Sequence, residues 1–254
     1  MQIALHVGAH CTDEDRLLKC LRKNVESLAE QGIAVPEVSQ YRPAIRDALA
    51  GPQNDILAQD DAQPPLQALL GDEEVGRIVL SHDSFFGVPG RSVEDNVLYT
   101  TVGHRGPRLR NLFAGCEVEF FIGLRDPASF IPAVFERIQQ PDFAVFLGGS
   151  DPLELRWSGM IKRLRDAVPD APVTVWCNED TPLLWNDILK NLSGHDPYTV
   201  LAGRDDFLGE LMVKGGVQRM RSYLDAHPPQ NEICLLYTSP SPRDLSTSRM
   251  PSSA

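Results

Sequence analysis

Four short apolar runs decide what this chain can fold into. They are Ile3–Val7, Arg77–Ser81, Glu117–Leu124 and Val173–Cys177, and each runs straight into a turn of small or polar residues. Each turn is followed by an amphipathic stretch long enough for a helix. Strands that alternate with helices form α/β folds with a mainly parallel sheet, because a parallel pairing needs a crossover and a helix supplies it. In such sheets the binding crevice lies at the carboxyl ends of the strands. Four strand exits therefore matter: Gly8–Thr12, Ser81–Ser84, Arg125–Ser129 and Cys177–Thr181.

The pattern along the chain is specific enough to assign elements. Residues 2–9 read as a strand buried on both faces. Thr12–Gln31 reads as a helix with Thr12 as N-cap, an apolar stripe of Leu17, Leu18, Leu21, Val25 and Leu28, and Gly32 as its stop. Ile33–Pro36 is extended, and helices are expected over Tyr41–Ala50 and Leu66–Val75, separated by a loop at Gly51–Pro65. Gly87–Asn96 reads as loop, and Gly103–Phe113, Pro127–Gln139 and Asp151–Val168 as helices. After the fourth strand a helix runs to Leu192, and a last one spans Asp205–Ala226.

Charge narrows the function. The 254 residues carry 24 Lys+Arg against 35 Asp+Glu, a formal charge of −11. So negative a field disfavours nucleic acid or an anionic membrane as partner. The five cysteines are scattered without a CxxC pair, so neither a metal site nor a disulfide framework is expected. A reducing, cytoplasmic setting fits, since the first apolar run has no basic leader and is too short for a signal peptide. The last twenty residues hold six Ser, two Thr and three Pro without periodicity. Residues 233–254 therefore read as a disordered tail beyond a single domain at 1–232. The tail also resembles a translated sequencing-adaptor read-through, which would make it foreign to the natural chain.

Three segments together resemble the P-loop sulfotransferases, specifically bacterial sulfotransferase-like proteins. LHVGAHCT (Leu5–Thr12) is similar to the family's 5′-phosphosulfate loop, LRDPASFIPAVF (Leu124–Phe135) to its 3′-phosphate segment, and VLSHDSFF (Val79–Phe86) to the strand exit near the acceptor. Their order fits along about 230 residues, from Met1 to the start of the tail. The resemblance implies a three-layer P-loop-type fold with a mainly parallel central sheet flanked by helices. It also implies sulfuryl transfer from 3′-phosphoadenosine 5′-phosphosulfate to a hydroxyl or amine on a small-molecule or glycan acceptor. Gly8, Ala9, His10, Cys11 and Thr12 would then give backbone donors, Arg125 would hold the 3′-phosphate, and Asp83 or His82 would be the base.

The chain departs from that pattern at three points. Cys11 stands where the family has its loop lysine, Asp13-Glu14-Asp15 follows where Gly-Thr-Thr is usual, and Ala133 replaces a serine. Three carboxylates in a first helical turn would repel a phosphosulfate, each by about 1 kcal/mol. An ATP-type loop fails too, because Asp13 stands five residues after Gly8 where Gly-Lys is required. The alternative is a non-catalytic relative that keeps the fold as a binding or interaction module.

Each candidate residue also has a structural reading. Arg125 binds a phosphate or pairs with Asp126 or a neighbouring carboxylate. Asp83 is a base or a loop-stabilising carboxylate, and His82 shares the base role or is hydrogen-bonded structure. Cys11 is an activated thiol or a plain buried residue. Glu179-Asp180 starts a helix or lines the acceptor site. Arg105, Arg108 and Arg110 form an anion patch or a solvated helix face. His6 and His10 are about 13 Å apart on an extended strand, too far to share a metal.

Overall fold

The computed structural model describes residues 1–50, 75–213 and 215–226. Contacts divide the chain into two compact units, Met1–Arg204 and Asp205–Ala254. The expected loop at Gly51–Pro65, most of the helix at Leu66–Val75 and the tail at 233–254 lie outside the described residues.

The first unit is an α/β fold around a five-stranded parallel sheet. Its strands are β1 (Gln2–His6), β2 (Ile33–Ala34), β3 (Arg77–Ser81), β6 (Glu117–Leu124) and β7 (Val173–Cys177). They lie in the order β2-β3-β1-β6-β7. β1 is central, with Ile3 opposite Ile78 on one side and Val118 on the other. It is apolar on both sides because helices cover both faces. Ile3, Leu5 and Val7 join one core with Tyr41, Leu109, Phe130 and Leu164. Those four come from α3 (Val38–Leu49), α4 (Val102–Leu112), α5 (Pro127–Ile138) and α7 (Trp157–Ala167). The opposite face packs against α8 (Thr181–Ser193), which also touches α1 (Arg16–Arg22). Each fully buried Ile or Leu in such a core contributes about 1.5–3 kcal/mol.

Arg77, Glu117 and Val173 begin strands where the sequence places them. The expected helix Thr12–Gln31 is instead two, α1 and α2 (Val25–Ala29). Thr12 is not its cap, because its hydroxyl donates to the carbonyl of Ala9 at 2.7 Å. The helix starts at Arg16, after Asp15 at φ 63°, and no acidic residue stands in its first turn. It breaks at Asn24, whose side chain donates to Cys20 O and Ala202 O and accepts from Ala202 N–H. An Asn that bonds backbone outside the helix competes with the helix itself.

The loop expected at Gly87–Asn96 contains a 3-10 turn at Pro89–Arg91 and half of a hairpin, β4 (Val93–Glu94) paired with β5 (Val97–Leu98). The stretch before α7 is not helical, because Pro152 follows an Asp151 side chain that accepts from Leu153 N–H. A five-residue helix, α6 (Phe143–Leu147), was not expected. Asp142 caps it through Ala144 and Val145 N–H.

The second unit contains α9 (Asp206–Leu211) and α10 (Gly216–Ala226) in place of one helix. Gly215 at φ 77° separates them. No helix among the described residues is long and apolar enough to cross a membrane.

Candidate functional site

The four strand exits meet at one edge of the sheet. β1 connects to one side, towards β2, and its neighbour β6 to the other, towards β7. A crevice opens where neighbouring strands diverge in this way. The β1 exit stays on β6 for two more residues, with Val7 N–H donating to Phe121 O and Ala9 N–H to Gly123 O. On its other side Gly8, at φ 99°, lies against the β3 exit. A Cβ there would stand 3.1 Å from Asp83 Cα and 3.2 Å from Asp83 O. Only glycine permits both the turn and the approach. The fourth exit joins through Glu179, whose carboxylate accepts Asp126 N–H at 2.9 Å.

His10 is fully buried within this edge. The Tyr99 hydroxyl accepts its N–H at 3.0 Å and lies 2.5 Å from Nδ1. Burial pushes its pKa down to about 4, so the ring is neutral at pH 7. The same burial pushes the Tyr99 phenol up, which keeps it a donor. The proton of His10 then sits on Nε2, 3.4 Å from Ser84 Oγ, and Ser84 donates to Asp83 Oδ1 at 3.0 Å.

Asp83 is where the network ends. Burial alone would raise its pKa, but hydrogen bonding from His82 and the Arg137 guanidinium carry it below the ordinary carboxylate range. Arg137 Nη1 donates to Asp83 Oδ2 at 2.6 Å, and His82 Nδ1 lies 3.4 Å from Oδ1. A carboxylate so well paired is a weak proton acceptor at neutral pH.

Arg125 does not pair with Asp126. Its Nη1 donates to Cys11 O at 2.9 Å and its Nε to Ser129 Oγ at 3.1 Å. Asp126 caps α5 instead, accepting from Ala128 N–H. Among the described residues Arg125 has no carboxylate partner, so its charge is available to an anion. Ala133 packs against the core. Burial raises the pKa of the Cys11 thiol against the pull of Arg137 and Arg125. That fits a buried thiol better than an activated one.

The acidic turn does not confront the crevice with three free charges. Asp13 is buried and accepts Leu17 N–H at 3.1 Å. Asp15 is held by both Nη atoms of Arg42, at 2.6 and 3.2 Å. Only Glu14 is exposed. The amides of Cys11, Thr12 and Asp13 donate to no acceptor among the described residues.

The remaining candidates disperse. Arg110 pairs with Asp170, buried Arg108 donates to Ala48 O, and Arg105 donates to Phe85 O. His6 bonds Ser81 Oγ at 2.9 Å and stacks on Trp176, away from His10's partners. Among the described residues no group of three or more His, Cys, Asp or Glu is placed to hold a metal ion.

Arg137 and Tyr99 join these residues but carry no signal in a linear reading, whereas Ser84 closes the strand exit Ser81–Ser84. Arg125 reaches Cys11 from the end of β6, whereas Arg137, twelve residues on, reaches Asp83 from the last turn of α5. No protein-family model matches the chain, and comparison with curated proteins and with solved structures finds no match.

Proposed function

We propose that this chain is a P-loop-type sulfotransferase that moves a sulfuryl group from 3′-phosphoadenosine 5′-phosphosulfate to a hydroxyl or amine acceptor. The observation that carries this reading is Arg125. It is a guanidinium bonded to the carbonyl of Cys11, in a turn where, among the described residues, it has no carboxylate partner and the next amides have no acceptor. A cation and unsatisfied N–H donors on one turn at a sheet's switch point suit a phosphate or sulfate group.

Arg125 would bind the 3′-phosphate, and the turn at Gly8–Thr12 would face the phosphosulfate. Ala9 and His10 cannot donate from the backbone, since Gly123 O and Tyr99 already take their N–H groups. Of the five, Gly8, Cys11 and Thr12 remain as donors, with Asp13 added. The nucleotide, when bound, supplies the sulfuryl group. His82 is the better base of the two candidates. With Nδ1–H towards Asp83, its Nε2 is left as an acceptor, and Asp83 holds the ring in that tautomer. The acceptor's proton goes to that nitrogen as its oxygen or nitrogen bonds to sulfur and the sulfur–phosphate oxygen bond breaks.

Calorimetric titration of the full chain with 3′-phosphoadenosine 5′-phosphate tests this reading. Saturable binding with Kd below about 1 mM, lost in Arg125→Gln, is the expected result. Absence of heat at millimolar nucleotide would leave the fold as a non-catalytic binding module.

A further inference from the structure

The turn lacks a lysine at Cys11, yet its position is not without a cation. Arg137, on the last turn of α5, comes to this turn through Asp83, which it pairs with at 2.6 Å and whose backbone lies against Gly8. Arg125 bonds the Cys11 carbonyl, and the charge of Arg137 is felt by the Cys11 thiol. Arg137 is 43% exposed in its side chain, so part of its N–H fork faces solvent while Nη1 is held by Asp83. Asp83 also has Ser84 and His82 as partners. It can therefore release the guanidinium without becoming a bare buried charge. We propose that Arg137 is the cation of the anion site and that its pair with Asp83 is a latch, opened when an incoming diphosphate-like oxyanion takes the guanidinium.

Exchange of one oxyanion for another makes the latch workable. A phosphate offers Arg137 the same bidentate geometry as a carboxylate, with more charge. The resting pair with Asp83 neutralises the charge of Arg137 beside the turn. On opening, Asp83 turns wholly to His82 and Ser84, so anion binding firms the carboxylate behind the proposed base. This inference rests on the anion site of the proposed function and is independent of which nucleotide, if any, occupies it.

Inorganic pyrophosphate is the probe, titrated calorimetrically into the full chain beside 3′-phosphoadenosine 5′-phosphate. Arg137→Gln is expected to weaken pyrophosphate about tenfold or more, and Arg137→Lys to recover part of the loss. Asp83→Asn is expected to strengthen it about threefold or more, because the competing carboxylate is gone. A guanidinium that only braces Asp83 would leave pyrophosphate binding unmoved in Arg137→Gln. Arg137→Gln within about twofold of the parent, weaker binding in Asp83→Asn, or a parent that ignores millimolar pyrophosphate each overturns the latch. If Arg137→Gln does not fold, Arg137→Lys and Asp83→Asn decide by the same criteria. Arg137-dependent pyrophosphate binding with no added affinity for the nucleotide would remove the transferase reading and leave the latch. Nucleotide binding that is indifferent to Arg137 would do the reverse.

Discussion

The Tyr99 hydroxyl grips His10 at two points, taking its backbone N–H at 3.0 Å and meeting its Nδ1 at 2.5 Å. The two rings lie almost parallel, with centroids 5.5 Å apart and planes inclined by 7°. A phenol that already accepts the amide must use its own proton on Nδ1. That leaves Nε2–H pointing at Ser84, so His10 cannot take a proton from Ser84. The trio Tyr99, His10 and Ser84 has the members of a nucleophilic triad but the wrong proton direction, and it orients Asp83 instead.

The first prediction concerns pH. The pKa of His10 falls from 6.5 to about 4 on folding, because burial penalises the imidazolium. Between those values the unfolded chain binds a proton that the native one refuses. The contribution is therefore complete above pH 6.5 and is lost as pH falls to about 4, to a total of roughly 3 kcal/mol. Urea melts at pH 7, 5 and 4 check this. His10→Gln is expected to flatten the loss across that window. Tyr99→Phe is expected to cost about 1–3 kcal/mol at pH 7 by orphaning the His10 amide. A parent chain as stable at pH 4.5 as at pH 7 would show that His10 is not held neutral.

The chain's own pattern shows the frame more readily than the site, and particular residues say why. Arg77, Glu117 and Val173 start strands where apolar runs begin, since burial on both faces leaves a local signature. Asn24 breaks a helix that has a sound apolar stripe, and the partner responsible is Ala202, 178 residues away. Gly8, Asp83 and Arg125 were found as strand exits, because a parallel sheet gathers those at one edge. Arg137 and Tyr99 could not be, since each reaches the site by the lean of a helix or a hairpin. The acidic triplet misled for a related reason. Arg42, which neutralises Asp15, comes from another helix.

Gly8 gives the second prediction. Its φ of 99° strains any side chain, and a Cβ would meet the backbone of Asp83 at 3.1 and 3.2 Å. Backbone on both sides cannot yield cheaply. Gly8→Ala is expected to lose about 2–4 kcal/mol and to abolish anion binding. Gly115 is the matched control, at φ 89° with nothing within 4 Å of its Cβ position. Gly115→Ala is expected to cost about 1 kcal/mol and leave binding intact. Thermal melts and pyrophosphate titration of both variants separate the turn's strain from the close approach.

A third prediction addresses the far end of the sheet. Arg77 on β3 donates to Gln2 on the adjacent β1, across it to Glu119 on β6, and to Leu192 O and Asn191 O at the end of α8. Its side chain is 10% exposed. Arg77→Met strands a half-buried carboxylate and two carbonyls together, and is expected to cost about 3–4 kcal/mol in chemical denaturation. Arg77→Met with Glu119→Leu removes the stranded charge and is expected to recover about half of that loss. No recovery would mean that the α8 carbonyls, not the ion pair, carry the energy.

The fourth prediction moves the cation between its two positions. In the parent chain Cys11→Lys places a third positive charge between Arg125 and Arg137. Repulsion is then expected to cost about 1 kcal/mol of stability, with pyrophosphate affinity rising no more than about twofold. In the Arg137→Gln background the same lysine enters a site short of one cation, beside an Asp83 that has lost its guanidinium. There it is expected to raise affinity about fivefold or more over Arg137→Gln alone. The two substitutions should thus couple by about 0.5 kcal/mol or more in a double-mutant cycle read by calorimetry. Strict additivity would mean that a lysine at position 11 and the guanidinium of Arg137 do not serve the same anion. A substitute cation restores binding only where the original was lost, and that dependence separates a shared anion site from two unrelated charges.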